Sequence, residues 1–272
     1  MSTTKGGPGT VSVAAEGRVR ILTFDRPGRA NAFDVALYRA AAAALHEADA
    51  DDDVGAVVLT GAGRTFTAGT DLAEMADTAG RSPDWSAPHP FEAFLDAVVG
   101  FSKPLVAAVN GPAVGLGLTL LPHCDLVLVS ESARLRAPFT AMGVVPEAAS
   151  SYLLAQRMGR QRATAALLTS DWLSATEAVE AGLALRVCRP EDLLADAVAL
   201  AARIASHPDA SVRATRALVR DAERDGIVRA RARENAAFAE ILGASATAAA
   251  IRGHLAGLGS ANGSVNGGGS GA

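Results

Sequence analysis

The sequence predicts an α/β protein with a βαβ-rich front and an appended helical C-terminal region. Three observations predict it. Of the 272 residues, 49% are hydrophobic and only 20% are charged, so a sizeable core can be buried and the body of the chain is not disordered. Short, continuously apolar runs alternate with helical patterns through the first half, as strands covered on both faces do. From 152 to about 258 the chain reads as almost all helical.

In chain order, residues 1–10 are mostly Gly, Ser, Thr and Pro and predict a flexible N-terminus. Residues 19–24 read as a strand ended by Arg26-Pro27-Gly28. The Ala-rich 36–48 stretch reads as a helix that Asp34 could cap, followed by a solvated turn at Asp51-Asp52-Asp53. Residues 56–60 form a short buried strand stopped by Gly61 and Gly63. Three prolines between Pro83 and Pro90 force an irregular loop over 81–90, either a cover over a site or an ordinary surface insertion. Residues 105–109 and 126–129 read as further buried strands, the first stopped by Asn110-Gly111-Pro112. Pro190 and Pro208 mark helix starts, and Gly182, Gly226 and Gly243 mark breaks. The domain reading is a core over 11–200, a helical region over 201–258 and a flexible tail over 259–272, with no internal repeat.

Several classes fall away. A net charge of −4 argues against binding nucleic acid through phosphate neutralisation. All but two of the 25 basic residues, Lys5 and Lys103, are arginine, and no Walker motif surrounds either lysine. Cys124 and Cys188 make neither a disulfide framework nor a metal-ligand spacing. The longest apolar stretch, 105–129, is broken by Asn110, Pro112, Pro122, His123 and Asp125, so no membrane span is expected. With no apolar leader visible, the expectation is a soluble cytoplasmic protein.

Three segments could carry chemistry. The first, 63–72, follows a buried strand and contains Ala68-Gly69-Thr70-Asp71-Leu72. The second, 103–118, is again a strand, then a turn with Gly115-Leu116-Gly117, then an apolar helix. Backbone N–H groups at such turns are unpaired by helix geometry, and glycines let a ligand approach them. Two such turns facing each other would put two donors on one oxygen, as in an oxyanion hole; taken singly, each turn equally serves tight helix–strand packing. A dinucleotide fingerprint fails because position 120 is Leu rather than Gly, and neither H-E-x-x-H nor G-x-S-x-G occurs. The third segment, 138–152, contains Pro146-Glu147, which looks like a helix start. Glu147 has two readings there: a carboxylate favoured by the helix dipole, or a general base in an apolar pocket.

Together these segments resemble the crotonase (enoyl-CoA hydratase/isomerase) superfamily. Arg26-Pro27-Gly28-Arg29-Ala30-Asn31-Ala32-Phe33 is similar to R-P-x-x-x-N-A-[LF], and 49–72 follows A-D-x-D-x-x-V-x-A-V-V-L-T-G-x-G-x-x-F-x-A-G-x-D-L. Residues 103–117 resemble K-P-x-[IV]-A-A-V-N-G-x-A-x-G-x-G, and Cys124-Asp125-Leu126 matches the following C-D-[LI]. The resemblance implies a ClpP/crotonase-like fold of repeated ββα units with a helical C-terminal region. It implies an acyl-CoA thioester as ligand, with coenzyme A part of the substrate, and no separate cofactor or metal. It implies Ala68 and Leu116 as oxyanion-hole donors. It implies substrate contacts at Arg29, Ala30, Gly69, Thr70, Asp71, Leu72, Gly115, Thr119 and Phe139. It also implies a homotrimer or dimer of trimers.

The departures from the pattern bear on the reaction. Hydratases of the family carry two glutamates that activate water, and the matching positions here are Thr119 and Phe139, which cannot take a proton. Pro146-Glu147-Ala148-Ala149-Ser150-Ser151 resembles the P-E-[GA]-x-S-S stretch of the 3,2-enoyl-CoA isomerases, which makes Glu147 the expected acid/base. The alternatives are a hydratase with non-standard residues and a non-catalytic acyl-CoA binder. Asp71, Asp125 and Cys124 read as turn and packing residues, and His46 and His207 as surface. His89, Trp85 and Phe91 could approach a ligand. The family's C-terminal basic stretch is reduced at 250–255 to a single arginine, Arg252.

Overall fold

The computed structural model describes residues 7–74 and 89–242. The Trp85 and 250–255 readings, the 81–88 part of the loop and the 259–272 tail lie outside the described residues. The main sheet has the order β1-β2-β3-β4-β6-β9. Its strands are β1 (Thr10–Glu16), β2 (Val19–Asp25), β3 (Ala56–Gly61), β4 (Leu105–Val109), β6 (Leu126–Ser130) and β9 (Arg186–Cys188). β1 is an antiparallel edge strand on β2, and every other pairing in this sheet is parallel. A smaller sheet holds β5 (Ala113–Val114), β7 (Arg134–Arg136) and β8 (Leu173–Ser174).

The apolar runs form the buried strands because both faces are covered. Leu59, Leu105, Ala107 and Val109 point into one core, against the helix α1 (Val35–Ala50) and α2 (Pro90–Gly100). Their neighbours Val58, Val106 and Ala108 point into the other, against α7 (Leu193–Ala205). Alternation along each strand thus serves two cores rather than one core and water. Between the sheets the chain repeats a ββα unit: β4, β5 and α3 (Leu116–Thr119), then β6, β7 and the α4 (Ser150–Met158) and α5 (Arg160–Thr169) pair. A short α6 (Ala175–Glu180) links β8 to β9.

Asp34 caps α1 as expected, accepting from the Leu37 amide at 2.8 Å. Buried Lys103 closes the other end, donating from Nζ to the Ala48 and Asp51 carbonyls. At the close of the proline-rich segment, Pro90 sits in the first turn of α2 and His89 Nδ1 accepts from the Phe91 amide, so this end is a helix start rather than loop.

The C-terminal reading needs two corrections. The helical stretch is interrupted by β8 and β9, which are too short to show a period of their own. Gly226 is not a break: it lies inside one continuous helix, α8 (Asp209–Leu242). A Cβ there would come within 2.3 Å of the Tyr152 ring, so the glycine lets α8 lie directly on α4. Gly226→Ala is therefore expected to destabilise the fold by about 1–3 kcal/mol through overpacking. An alanine ordinarily gains about 1 kcal/mol over glycine in a helix interior. Urea unfolding followed by circular dichroism checks the sign; a gain in stability would mean α8 is not seated on Tyr152.

Candidate active site

The first turn is tied by Asn31, which is fully buried in the left-handed region at φ 55°. Its Nδ2 donates to the Ala62 and Thr65 carbonyls, and its Oδ1 accepts from the Arg26 amide at 3.0 Å. Thr67 Oγ1 donates to the Asn31 carbonyl at 2.7 Å and accepts from the Gly69 amide at 3.0 Å. The Asn of the R-P-x-x-x-N motif is therefore a crosspiece between two loops. Behind it Phe33 packs against Phe24, Tyr38 and Phe94.

The two glycine turns meet. Gly69 has φ +85°, and a Cβ on it would lie 2.6 Å from the Val114 carbonyl oxygen and 3.3 Å from the Leu116 nitrogen. A Cβ on Gly117 would lie 2.8 Å from the Thr67 carbonyl oxygen. Gly115, at φ 54° and ψ −115°, holds a conformation only glycine adopts readily and starts α3 at Leu116. The Leu116 amide, first in its helix, has no hydrogen-bond partner among the described residues. The Ala68 amide differs from expectation: it donates to the Ala30 carbonyl at 2.9 Å, because residues 30–33 run alongside 68–71.

The other expected contact residues divide by exposure. Arg29 and Ala30 are exposed, Thr70 and Leu72 half-buried, and Gly69, Asp71, Gly115, Thr119 and Phe139 buried. Asp71 is a structural residue: Arg26 meets it at 2.8 Å, Arg29 at 3.4 Å, and it accepts from the Ala73 amide. Those partners hold its carboxyl below the usual range although burial pushes the other way. The Thr119 hydroxyl reaches back to the Leu116 carbonyl at 3.4 Å in its own helix. Asp125 accepts from the Leu105 amide and from Arg216, as a packing residue would. His46 and His207 are exposed.

Glu147 is not in a helix. After a 3-10 turn at Thr140–Met142 the chain runs irregularly to Ala148 and Ala149, both left-handed, and α4 starts only at Ser150. The helix-dipole role offered to Glu147 is filled by Glu234 of α8, whose carboxylate accepts from the Ala149 and Ser151 amides. The Glu147 carboxyl has no hydrogen bond to a described residue and is half-buried. Burial first, then the charges of Glu234 and Glu92, push its pKa up to about 8. Its charge in turn reaches Tyr38, whose hydroxyl shares a 2.8 Å hydrogen bond with Thr70 Oγ1 on the first turn. The Glu147 carboxyl thus lies within electrostatic reach of Tyr38, which is itself bonded to the first turn. Sequence reasoning missed Tyr38, Glu92 and Glu234, which lie on three different helices outside the motifs and carry no local pattern. Among the described residues no cluster of three or more His, Cys, Asp or Glu could hold a metal ion, and no helix is long and apolar enough to cross a membrane.

Comparison with known proteins places this geometry. The enoyl-CoA hydratase/isomerase family model matches residues 14–255. A "Probable enoyl-CoA hydratase" of Rhizobium meliloti (strain 1021) is 37% identical over 200 residues, covering 72% of this chain and 76% of that protein. "Enoyl-CoA delta isomerase 2" of Rattus norvegicus is 34% identical over 217 residues, covering 79% of this chain and 55% of that one. A crystal structure of an enoyl-CoA hydratase/isomerase from Pseudoalteromonas atlantica T6c superposes with a TM-score of 0.85 at 39% identity, covering 90% of this chain and 96% of that one. The chain belongs to the enoyl-CoA hydratase/isomerase family of the crotonase superfamily. It is an enzyme of the class that acts on acyl-CoA thioesters.

The raised pKa has a stability consequence with a definite sign. The folded value, about 8, lies above the ordinary 4.5, so the protonated form is favoured by folding and stability is lost as pH rises between those values. Glu147→Gln carries no ionisable group. Its stability relative to wild type is expected to grow from pH 4.5 to 8 and level off above. Denaturant titrations across that range test it, and a flat difference would mean the carboxyl is well solvated.

Proposed function

We propose that the enzyme isomerises 3-enoyl-CoA to 2-enoyl-CoA, with Glu147 as the single acid/base. The observation that carries this reading is one carboxyl with no hydrogen bond to a described residue, raised by burial to about 8, with Thr119 and Phe139 where a second acid would stand. The Glu147 carboxylate takes a proton from C2, and the electron pair moves into a dienolate spread from the thioester oxygen to C4. The same carboxylic acid then returns the proton to C4, leaving the double bond between C2 and C3. The Leu116 amide is the free donor for the enolate oxygen, and Ala68 joins it when its amide exchanges the Ala30 carbonyl for that oxygen. Each such donor typically stabilises the transition state by about 3–4 kcal/mol. No water takes part, in keeping with a buried Phe139, and no cofactor is required beyond the CoA that the substrate carries.

Hydration of a 2-enoyl-CoA is the second reading, favoured by the name of the Rhizobium relative. The two separate on products. With 3-hexenoyl-CoA the wild-type enzyme is expected to form the conjugated 2-enoyl thioester, with kcat/KM rising with pH up to about 8 as Glu147 loses its proton. Glu147→Gln should lower turnover by about 10²–10⁴-fold while acyl-CoA still protects the fold thermally. A 3-hydroxyacyl product from 2-enoyl-CoA would favour hydration, and thermal protection without any turnover would favour a binder.

The reading includes a homotrimer or a dimer of trimers. The exposed Leu218, Val219 and Val228 on α8 supply apolar surface for such contacts. Light scattering at micromolar concentration should return a multiple of three chains; a monomer would overturn this part.

A further inference from the structure

The turn that carries Glu147 is strained and is not held by its own sequence. Ala148 and Ala149 follow one another at φ 59° and 56°, a left-handed pair built from alanines rather than glycines. A residue with a Cβ is disfavoured there relative to right-handed backbone. Strain of this kind persists only where the surroundings over-determine it. Locally the Ser150 amide donates to the Glu147 carbonyl at 3.0 Å, and the Ala149 carbonyl accepts the first amides of α4, from Tyr152 and Leu153. The cap position of α4 is Ala149, which has no side-chain acceptor to offer.

The remaining restraints come from elsewhere in the chain. His123 Nε2 lies 2.7 Å from the Ala148 carbonyl. Burial lowers the His123 pKa to about 4, so the ring is neutral and its Nε2–H donates. From α8, Glu234 Oε2 accepts from the Ala149 amide at 2.7 Å and Oε1 from the Ser151 amide at 2.8 Å. Glu234 is itself buried, at 5% exposure. A serine or aspartate at position 149 would cap α4 without burying a charge from another helix, which is the costlier arrangement. What an uncharged local cap would not do is bring a second carboxylate close to Glu147.

We propose that Glu234 is a positioning residue for catalysis: its carboxylate clamps the strained turn at both ends, so that Glu147 is held in place for the ligand with a second acid close by. The proposal rests on the reading of Glu147 as acid/base. The groups around Glu147 bear it out from each packed element. From α8 comes Glu234, and from α2 comes Glu92, whose charge is met by Arg231 and Asn235. From α1 comes Tyr38, neutral and raised well above its ordinary pKa by burial. From the turn after α3 comes His123, also neutral. Glu234 is the one acid of this set bound directly to the turn. Burial raises its own pKa, while the Ser151 and Ala149 bonds and Arg233 pull it back. The α8 helix that brings it is docked by Gly226 on Tyr152, by Arg157 with Glu223, and by Arg231 with Glu92 and Asp96. The C-terminal helix is thus part of the site.

The test compares Glu234→Gln with Glu234→Asp. Glutamine keeps the size, loses the charge and can accept only one of the two amides. Its kcat for 3-hexenoyl-CoA is expected to fall about 10–100-fold, as the loss of one charge-assisted hydrogen bond implies, with KM little changed. The rising limb of its pH profile should also move to lower pH. Aspartate keeps the charge at a shorter reach, so its plateau should fall while its limb stays at the wild-type pH. A glutamine variant whose limb does not move overturns the proposal, because a merely structural cap would lower the plateau alone. If Glu234→Gln folds poorly, adding Ala149→Gly relieves the left-handed strain and allows the same measurement. The carboxyl of Glu147 is also titrated without turnover, by infrared difference spectra between wild type and Glu147→Gln, each with and without Glu234→Gln. A shift of that carboxyl to lower pH on loss of the Glu234 charge supports the clamp's electrostatic role even if Glu147→Gln still turns over, an outcome that would remove the isomerase reading alone. No shift overturns the role whatever the reaction.

Discussion

The contact between the two glycine turns governs the rest of the site. Gly69 lies so close to the second turn that a single added carbon would collide with the Val114 carbonyl and press on the Leu116 amide. Because that space is kept empty, the end of β3 and the start of α3 share one wall, and the amide of Leu116 opens beside the first turn instead of being packed under a side chain. Asn31 and Thr67 fix the first turn through five hydrogen bonds to backbone groups, so the approach is rigid rather than incidental. A donor aimed before the reaction begins costs no reorganisation when charge develops, which is why backbone geometry matters more here than side-chain identity.

On the proposed reading, chemistry depends on a carboxyl relieved of structural duty. Most carboxylates in this protein are employed: Asp34 caps a helix, Asp71 answers two arginines, Asp125 anchors a strand to α8, and Glu234 caps α4. Each is held by partners that favour or satisfy its charge. Glu147 has burial and two neighbouring acids and no hydrogen bond to a described residue, so its proton is held near the pH at which giving and taking are balanced. What sets Glu147 apart from the structural acids is what surrounds it.

The fold was legible because it is written in local runs. The strands at 19–24, 56–60, 105–109 and 126–129, the 36–48 helix and its Asp34 cap all stand where the pattern put them, with helix ends extended by a residue or two. What escaped was short or non-local. β1 is an exposed edge strand without alternation, and β8 and β9 have two and three residues. Gly226 carries the ordinary sign of a break, yet its lack of a side chain serves packing on Tyr152 from seventy residues away in sequence. Glu147 was singled out, but its position outside the helix was not, since Pro-Glu before small residues looks the same whether the helix starts at once or three residues later. Nothing near Glu234, Tyr38 or Glu92 announces that they converge on it.

The engaged amide of Ala68 sharpens what an oxyanion hole requires. The motif supplies the two turns, and both are present and touching, yet one donor points at the chain's own Ala30 carbonyl. Ala30 is exposed, held at φ 50° at the end of a short 3-10 turn whose amide bonds only to Pro27. That carbonyl occupies a lone N–H that would otherwise be unpaired, which stabilises the turn by about the worth of one hydrogen bond. A thioester oxygen gaining negative charge is a stronger acceptor than a neutral amide carbonyl, so the exchange favours the ligand more as the reaction proceeds. On the proposed reaction the lost Ala30 bond is a cost common to ground state and transition state, so any preference for the transition state comes from the stronger acceptor that the charged oxygen becomes.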